Sequence, residues 1–483
     1  LLLAYRFYGA FLSRRFGVDE SRETPSHTDY DGVDRVPAKR EVLLGHHFSS
    51  IAGAGPIVGP IIAAAAFGWG PTLAWVIVGS IFIGGVHDFG SLMASIRNKA
   101  KSIGEVAKDN MSVTAYRLLL IFIWLTLVYV LTVFIDLTSA TFVKDGGVST
   151  SSLLFLVLAI GFGLAVYRLK LPSPVATLIL VPLVFGATWL GQIIPIQATA
   201  VWAPIGDDPG KTWDLLLVMY AFVASTTPVW IILQPRDYLS SFLLYASLLA
   251  GVVGILMGGF AASYPAFHDW NAPGVGTLVP IMFITVACGA CSGFHSIVAS
   301  GTSSKQLDNE GHARPVGYGA MLLEALVAVI AIATVMMLPA SGELAHKPPL
   351  EVYGLGMGRF FEAMGFSAKF GESFGMLALS TFILTTLDTA TRLGRYIFEE
   401  LFGFDFKGKR YLSTLATLAL PTVFVLLTLE GPNGQPMPAW KAIWPVFGAT
   451  NQLLAGLALL VITLWLRKSG MKSLFAFIPM VFM

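Results

Sequence analysis

Gly45-His46-His47-Phe48-Ser49-Ser50-Ile51-Ala52-Gly53-Ala54-Gly55-Pro56-Ile57-Val58-Gly59-Pro60 begins like a helix and then meets three glycines and two prolines in eight residues. A helix does not pass intact through Gly-Ala-Gly-Pro, because proline lacks an amide donor and glycine gives up backbone order. Yet the segment continues into the apolar run Ile61 to Phe67, and the whole is long and apolar enough to cross a membrane. Interrupted backbone at membrane depth is tolerated only where it is buried in protein or lines a polar cavity. In transporters that place is commonly the binding site.

Composition agrees with a membrane setting. The chain has 483 residues, 55% hydrophobic and 12% charged, with a mean hydropathy of +0.72, whereas soluble domains carry about 25% charged residues. It therefore reads as an all-α polytopic membrane protein. The net charge of +2 is spread over short loops, so no nucleic-acid partner is indicated. Leu1-Leu2-Leu3 and Phe475 to Met483 read as truncated spans of a longer chain, with no signal peptide legible. Cys288 and Cys291 lie in an apolar run and read as small packing residues on one helix face, with a functional thiol as the alternative.

A ruler of roughly 20 apolar residues per crossing gives about twelve complete helices. They are 42-67, 71-96, 117-142, 151-170, 174-194, 213-235, 239-262, 278-299, 316-338, 371-399, 411-429 and 440-466. Lys and Arg should favour the cytoplasmic side, and they do alternate between rich and poor loops. Of the 31 Lys and Arg, six fall on the poor side, among them Lys144, Lys211 and Lys441, and 24 on the rich side, with Arg6 near the first truncated span. Segment 13-41, with Arg14, Arg15, Arg22, Arg35, Lys39 and Arg40, is thereby cytoplasmic, and the opening stretch runs from inside to outside. Arg236 counts among the inner-loop charges.

The run His47 to Ala54 is echoed by Phe294-His295-Ser296-Ile297-Val298-Ala299-Ser300-Gly301, about 247 residues later, and Asp136-Leu137-Thr138-Ser139-Ala140-Thr141 by Asp388-Thr389-Ala390-Thr391. The copies start on opposite sides, which predicts units of opposite topology. The expected organisation is a truncated helix and cytoplasmic segment (1-41), a five-helix unit (42-194), two connecting helices within 195-277, an inverted five-helix unit (278-466) and the start of a further helix (467-483). A rival register begins the second unit at 213, whose span carries its own break at Ser225-Thr226-Thr227-Pro228.

Three polar interruptions carry chemistry. The first break exposes amides and carbonyls for a carboxylate or a cation; its bland reading is close packing through small residues. A dinucleotide loop is excluded for want of a strand and a βαβ unit. The second is Ser292 to Ser304, where His295 is a substrate or proton ligand or a hydrogen-bonded structural histidine. Ser292 and His295 lack a third group, which argues against an intramembrane hydrolase. The third is Thr385-Thr386-Leu387-Asp388-Thr389, a carboxylate among hydroxyls that suits a sodium ligand set or a proton acceptor; the bland reading is an ion pair of Asp388 with Arg392. Asp136 has the same options. His87-Asp88 reads as a capped or gating pair, and Asn451-Gln452 as an interhelical hydrogen-bond site. No H-E-x-x-H, P-loop or hydrolase elbow occurs, so the chain does not read as an enzyme and no cofactor is expected.

These residues resemble the carbon starvation protein A family. The resemblance rests on Ala4-Tyr5-Arg6-Phe7-Tyr8-Gly9, Asp31-Gly32 with Val36-Pro37, Gly45 through Pro60, His87-Asp88-Phe89, Pro235-Arg236-Asp237-Tyr238-Leu239-Ser240, Ala287-Cys288-Gly289-Ala290 with Ser292-Gly293-Phe294-His295, Gly317-Tyr318-Gly319-Ala320-Met321, Asp388 with Thr391-Arg392, and Trp444-Pro445 with Asn451-Gln452. It implies a bacterial inner-membrane carrier made under nutrient limitation, with peptide and pyruvate uptake as family activities. It also implies kinship with the amino acid, polyamine and organocation superfamily, whose LeuT-like core is a 5+5 inverted repeat with broken helices. Two departures leave the substrate open: loop 341-370 is shorter than in long members, and Asp136 matches no family motif position.

The expectation is alternating access in a secondary transporter. Its substrate site is formed by His47, Ser50, Gly53, Ala54, Gly55 and Pro56 on the first break and Ser292, Gly293, His295, Ser300 and Thr302 on the second. Asp388, Thr385, Thr389 and Asp136 carry the coupling proton or sodium, with Thr385, Asp388 and Thr389 as the sodium set. The partners are the small-molecule substrate and the lipid bilayer. The alternative is a nutrient sensor or channel without uphill transport.

Overall fold

Apolar runs of spanning length become helices throughout the computed structural model, which describes residues 1-109, 111-197, 208-339, 347-430, 434 and 436-483. In chain order they are α1 (Leu2–Arg15), α2 (Arg40–Ile51) and α3 (Gly55–Phe67), then α4 (Trp69–Arg97), α5 (Ile103–Lys108), α6 (Val113–Lys144), α7 (Gly146–Arg168) and α8 (Ser173–Ile193). Next come α9 (Pro209–Thr226), α10 (Leu233–Gly258), α11 (Leu278–Thr285), α12 (Ala287–Ala290) and α13 (Gly293–Val298). The series ends with α14 (Glu310–Met336), α15 (Pro349–Ala363), α16 (Ala368–Phe402), α17 (Lys409–Leu426), α18 (Ala439–Lys468) and α19 (Leu474–Phe482). Among the described residues eight helices are long and apolar enough to cross a membrane, or nine if the bent pair α2 and α3 counts as one span.

Helix ends follow local chemistry. Ser102, Ser112, Asp145 and Asp208 each accept a hydrogen bond from an amide of the first turn of α5, α6, α7 and α9, the usual work of an N-cap. Gly403, at φ 63°, ends α16 in the left-handed conformation.

Several expected spans are revised. The opening stretch breaks at Ala52 to Ala54, with a bend of 43° between α2 and α3. The expected helix 278-299 is cut twice, at Val286 and at Cys291-Ser292, and runs on through a π turn (Ala299–Ser303). The break in α2/α3 follows its His-His-Phe-Ser-Ser run, whereas this one precedes Gly-Phe-His, so the sequence echo does not align the two interruptions. Cys291 is extended, so the two thiols do not share a helix face; both are free and buried. The span 213-235 ends at Thr226, where Pro228 cannot continue it. The expected external loop contains α15, whose apolar face packs on α16, α10 and α3. Residues 198-207 of the expected connection and 341-346 of that loop lie outside the described residues.

The bundle centres on α6 and α16, which pack on each other. The most apolar window of α16 is 83% buried, against 28% for α8, so α16 is interior and α8 lies at the rim of the bundle. Helix α10 packs on α2, α15, α16 and α14, and α18 packs on α13, α4, α5 and α6. Helices α9 and α17 lie against each other and against α6 and α16, while α7 and α8 form a hairpin beside α10.

Candidate functional site

The glycines of the first break do two things. A Cβ on Gly55 would lie 2.3 Å from Cys288 Cβ, and one on Gly59 2.2 Å from the Thr285 carbonyl oxygen. Close packing on α11 and α12 is therefore real, and so is the interruption beside it. Pro56, which has no amide, occupies the first turn of α3; the Ile57 and Val58 amides bond to the Ala54 carbonyl at 3.2 and 2.9 Å, and the Gly55 amide is the one at this helix start without a partner within the helix. Gly53 faces Thr386 and Phe134, and Thr386 Oγ1 donates to the Ser50 carbonyl at 3.0 Å.

Beside the break lies a chain of buried ionisable groups. His46 Nδ1 is 2.5 Å from Asp237 Oδ2, and Asp237 Oδ1 accepts from Arg236 Nη2 at 2.9 Å. Arg236 Nη1 donates to Asp388 Oδ2 and, at 2.5 Å, to the Tyr220 hydroxyl, which itself donates to Asp388 at 2.6 Å. All five are buried or nearly so. Such a chain is stable only when each charge is paired and hydrogen-bonded. It ties α2 to α10, α9 and α16. Ser50 Oγ meets Thr389 Oγ1 at 3.0 Å, and His46 Nε2 lies 3.3 Å from Thr302 Oγ1. His47 Nδ1 meets Ser303 Oγ at 2.7 Å. The inner halves of both broken helices are thus joined through hydroxyls and imidazoles.

This placement sorts the expected residues. His47, Ser50, Thr302, Thr389 and Asp388 come together. Asp388 does not pair with Arg392, as the local reading had it; the Arg392 guanidinium instead binds Asp34 at 2.8 Å and the Ala224 and Thr227 carbonyls at 2.7 and 2.6 Å. Thr385 Oγ1 donates to the Thr381 carbonyl at 2.9 Å, so its hydroxyl is engaged within α16. Asp136 accepts from the Trp440 amide at 2.7 Å and fixes the start of α18 rather than joining Asp388. Ser300 Oγ accepts from the Ile103 amide at 2.9 Å and donates to the Ser296 carbonyl at 2.6 Å, anchoring α5. Ser292 bonds to Asn451, whose Oδ1 also accepts from the Phe294 amide at 2.8 Å. That is the interhelical role expected of Asn451, and it satisfies an amide freed by the second break. Gly293 packs on the same stretch of α18. His295 reaches Asp88 and Glu324.

Sequence reasoning missed His46, Tyr220, Arg236, Asp237 and Glu324 as site residues. Glu324 stands in the apolar run Ala320 to Met336 and was open to the argument applied to Asp388. Arg236 counts as a loop charge in the sequence, yet it and its neighbour Asp237 are 1% and 0% exposed.

The Lys/Arg-rich side is closed by segment 13-41. The Ala38 amide donates to the Gln306 carbonyl at 2.9 Å, and Ser26 Oγ to the Leu307 carbonyl at 2.8 Å. Asp34 joins Arg392 and Arg395. Burial works against the Asp34 charge, but Arg392, Arg395 and Lys305 hold its carboxyl well below the usual carboxylate range.

A family model described as carbon starvation protein CstA matches residues 1-350 and 340-483. The peptide transporter CstA of Escherichia coli K12 is 32% identical, over 97% of this chain and 75% of the relative. That of Bacillus subtilis 168 is 33% identical, over 95% and 82%. The pyruvate/proton symporter BtsT of Escherichia coli K12 is 30% identical, over 97% and 76%. Among solved structures, MhsT in complex with L-phenylalanine aligns with a TM-score of 0.59 at 14% identity, covering 92% of this chain and 98% of that one. A manganese transporter of Eremococcus coleocola aligns with 0.51 at 10% identity, covering 94% and 88%. At these identities the likeness is one of fold, and the fold is that of LeuT-like transporters.

Proposed function

The chain belongs to the carbon starvation protein CstA family, and on that premise we propose that it is a secondary active transporter that takes up peptides or pyruvate, by alternating access, with a proton as the coupling ion. The observation that carries the reading is the buried chain His46, Asp237, Arg236, Asp388, because it links a titratable carboxylate on α16 to the inner half of the first broken helix. The names of the relatives support both substrate classes and, for one of them, proton coupling. Its setting is a bacterial inner membrane, with segment 13-41 cytoplasmic.

In this reading the substrate carboxylate, common to peptides and pyruvate, is held at the Gly55 amide that begins α3, with Ser50 and His47 on one side and the Ser292 to Thr302 segment on the other. Protonation of Asp388 removes one of the two charges that hold Arg236 and leaves Asp237 as its anionic partner, so the tie between α16 and α10 loosens. A proton is favoured over sodium because the relative whose name states a coupling ion is a proton symporter.

The packing supports an inverted repeat in a register other than 42-194 and 278-466. Helix α10 meets α2, α16 and the short α15; α18 meets α13, α6 and the short α5. These sets correspond if one unit is α2/α3, α4, α6, α9 and α10 and the other is α11 to α13, α14, α16, α17 and α18. The hairpin α7 and α8 is then an insertion.

Proteoliposomes test the reading. Wild type should accumulate pyruvate or a di- or tripeptide under an inward proton gradient, and Asp388→Asn should retain exchange but lose accumulation. Full accumulation by Asp388→Asn would remove the coupling role. A sensor or channel would bind or equilibrate a solute without concentrating it when the membrane potential is clamped.

A further inference from the structure

A second cluster of buried ionisable groups sits on the other broken helix; its His295 belongs to the segment placed beside the substrate, but the proton step above does not use the cluster. Asp88 on α4 bridges two imidazoles: its Oδ1 lies 2.7 Å from His87 Nδ1 and its Oδ2 2.9 Å from His295 Nδ1. The far nitrogen of His295, Nε2, faces Glu324 of α14 at 3.3 Å. All four side chains are 0% exposed. Among the described residues, neither Glu324 oxygen has a well-aligned hydrogen-bond partner, and neither do His295 Nε2 or His87 Nε2. Among the described residues, no Lys or Arg pairs with either carboxylate. The other titratable groups facing the cluster are His47 on α2 and the thiols Cys288 and Cys291. Among the described residues, no group of three or more His, Cys, Asp or Glu is arranged to hold a metal ion.

A carboxylate buried without a cation or donor is too costly to stay ionised by itself; it is neutralised by a proton or by a protonated neighbour. With Asp88 accepting at both Nδ1 positions, His295 Nε2 is left as the basic nitrogen and Glu324 as the adjacent acid. Moving one proton from the Glu324 carboxyl to His295 Nε2 turns a neutral pair into an ion pair and leaves the cluster's net charge unchanged. The net charge changes only when a proton enters or leaves. Intramembrane chains of Asp, Glu and His mark proton pathways more often than scaffolding.

The cluster is also placed to sense movement. His295 is the third residue of α13, directly after the break at Cys291-Ser292, whereas Asp88 and Glu324 stand on α4 and α14. Any tilt of the inner half of this helix pulls His295 away from one or both carboxylates.

We propose that Glu324, His295 and Asp88, with His87, form a second proton-binding site, separate from Asp388, that takes up and releases a proton as the inner half of the second broken helix moves. The proposal builds on the transporter reading, yet the proton site can be tested without transport. Infrared difference spectra of the purified full chain, recorded from acid to alkaline pH, should show a protonated-carboxyl band that titrates and disappears in Glu324→Gln. If Glu324→Gln does not fold, His295→Gln should shift the titration of the same band. In proteoliposomes, each coupled proton contributes about tenfold accumulation per pH unit of gradient; Glu324→Gln should remove one such factor while keeping substrate exchange. A Glu324 carboxyl that stays in one protonation state across the range, or full accumulation by Glu324→Gln, overturns the proposal. A titrating Glu324 in a wild-type protein that concentrates neither pyruvate nor dialanine upholds the proton site and overturns the transport reading instead.

Discussion

Arg236 holds Asp388 and Asp237 at once, through separate guanidinium nitrogens, so one buried cation is shared by two carboxylates from two helices. Removing the cation leaves both uncompensated, which costs roughly 3–5 kcal/mol for a buried pair. Arg236→Met should lower the thermal midpoint of the purified protein sharply. Adding Asp388→Leu and Asp237→Asn should recover much of the loss. Equal midpoints for Arg236→Met and wild type would show that the pairing is not structural.

The latch on the Lys/Arg-rich side has a defined pH response. The Asp34 carboxyl is depressed by Arg392, Arg395 and Lys305 despite its burial, so its contribution is fully present above about 3.9, its unfolded value, and is lost as pH falls through its lower folded value. Between pH 8 and pH 5 the latch should therefore stay closed. Asp34→Asn should open it at every pH, read as faster maleimide labelling of Ser303→Cys from that side.

Helix packing at the first break tolerates no side chain at Gly59, because the obstruction is the Thr285 backbone carbonyl. Gly59→Ala should cost about 1–3 kcal/mol through overpacking. Gly161→Ala, in open space, should be neutral or slightly stabilising. Thermal unfolding in detergent compares the two.

Asn451 closes the second break by accepting from the Phe294 amide and bonding to Ser292. Asn451→Ala leaves a buried amide unpaired at a cost of about 1–3 kcal/mol. Asn451→Asp, which retains an acceptor for that amide, should lose less. Hydrogen exchange at Phe294 should accelerate in the alanine variant and remain closer to wild type in the aspartate variant.

Much of this architecture was legible in the sequence because glycine, proline and apolar length act locally. The break at Gly53 to Pro56, the helices α6 and α16 and the polar stretch at Ser292 follow from backbone chemistry within a few residues. The site was less legible because its partners are set by tertiary approach. Asp388 and Arg392 stand one helical turn apart, yet Asp388 turns to Arg236, 152 residues away. Asp136 resembles Asp388 in its neighbours but caps α18. Arg236 and Asp237 beside Pro235 looked like a loop, and only the seating of α10 against α2 and α16 buries them. Helix α15 was hidden because three glycines and a charged flank dilute its apolar face.

The account stands most directly on the accumulation ratio of labelled pyruvate or a dipeptide in proteoliposomes of the wild-type chain, with the membrane potential clamped and a pH gradient imposed. It predicts an internal concentration above the external one, rising about tenfold per pH unit for one proton per substrate and collapsing with a protonophore. Equilibration to the external concentration, unaffected by the gradient or the protonophore, would contradict it.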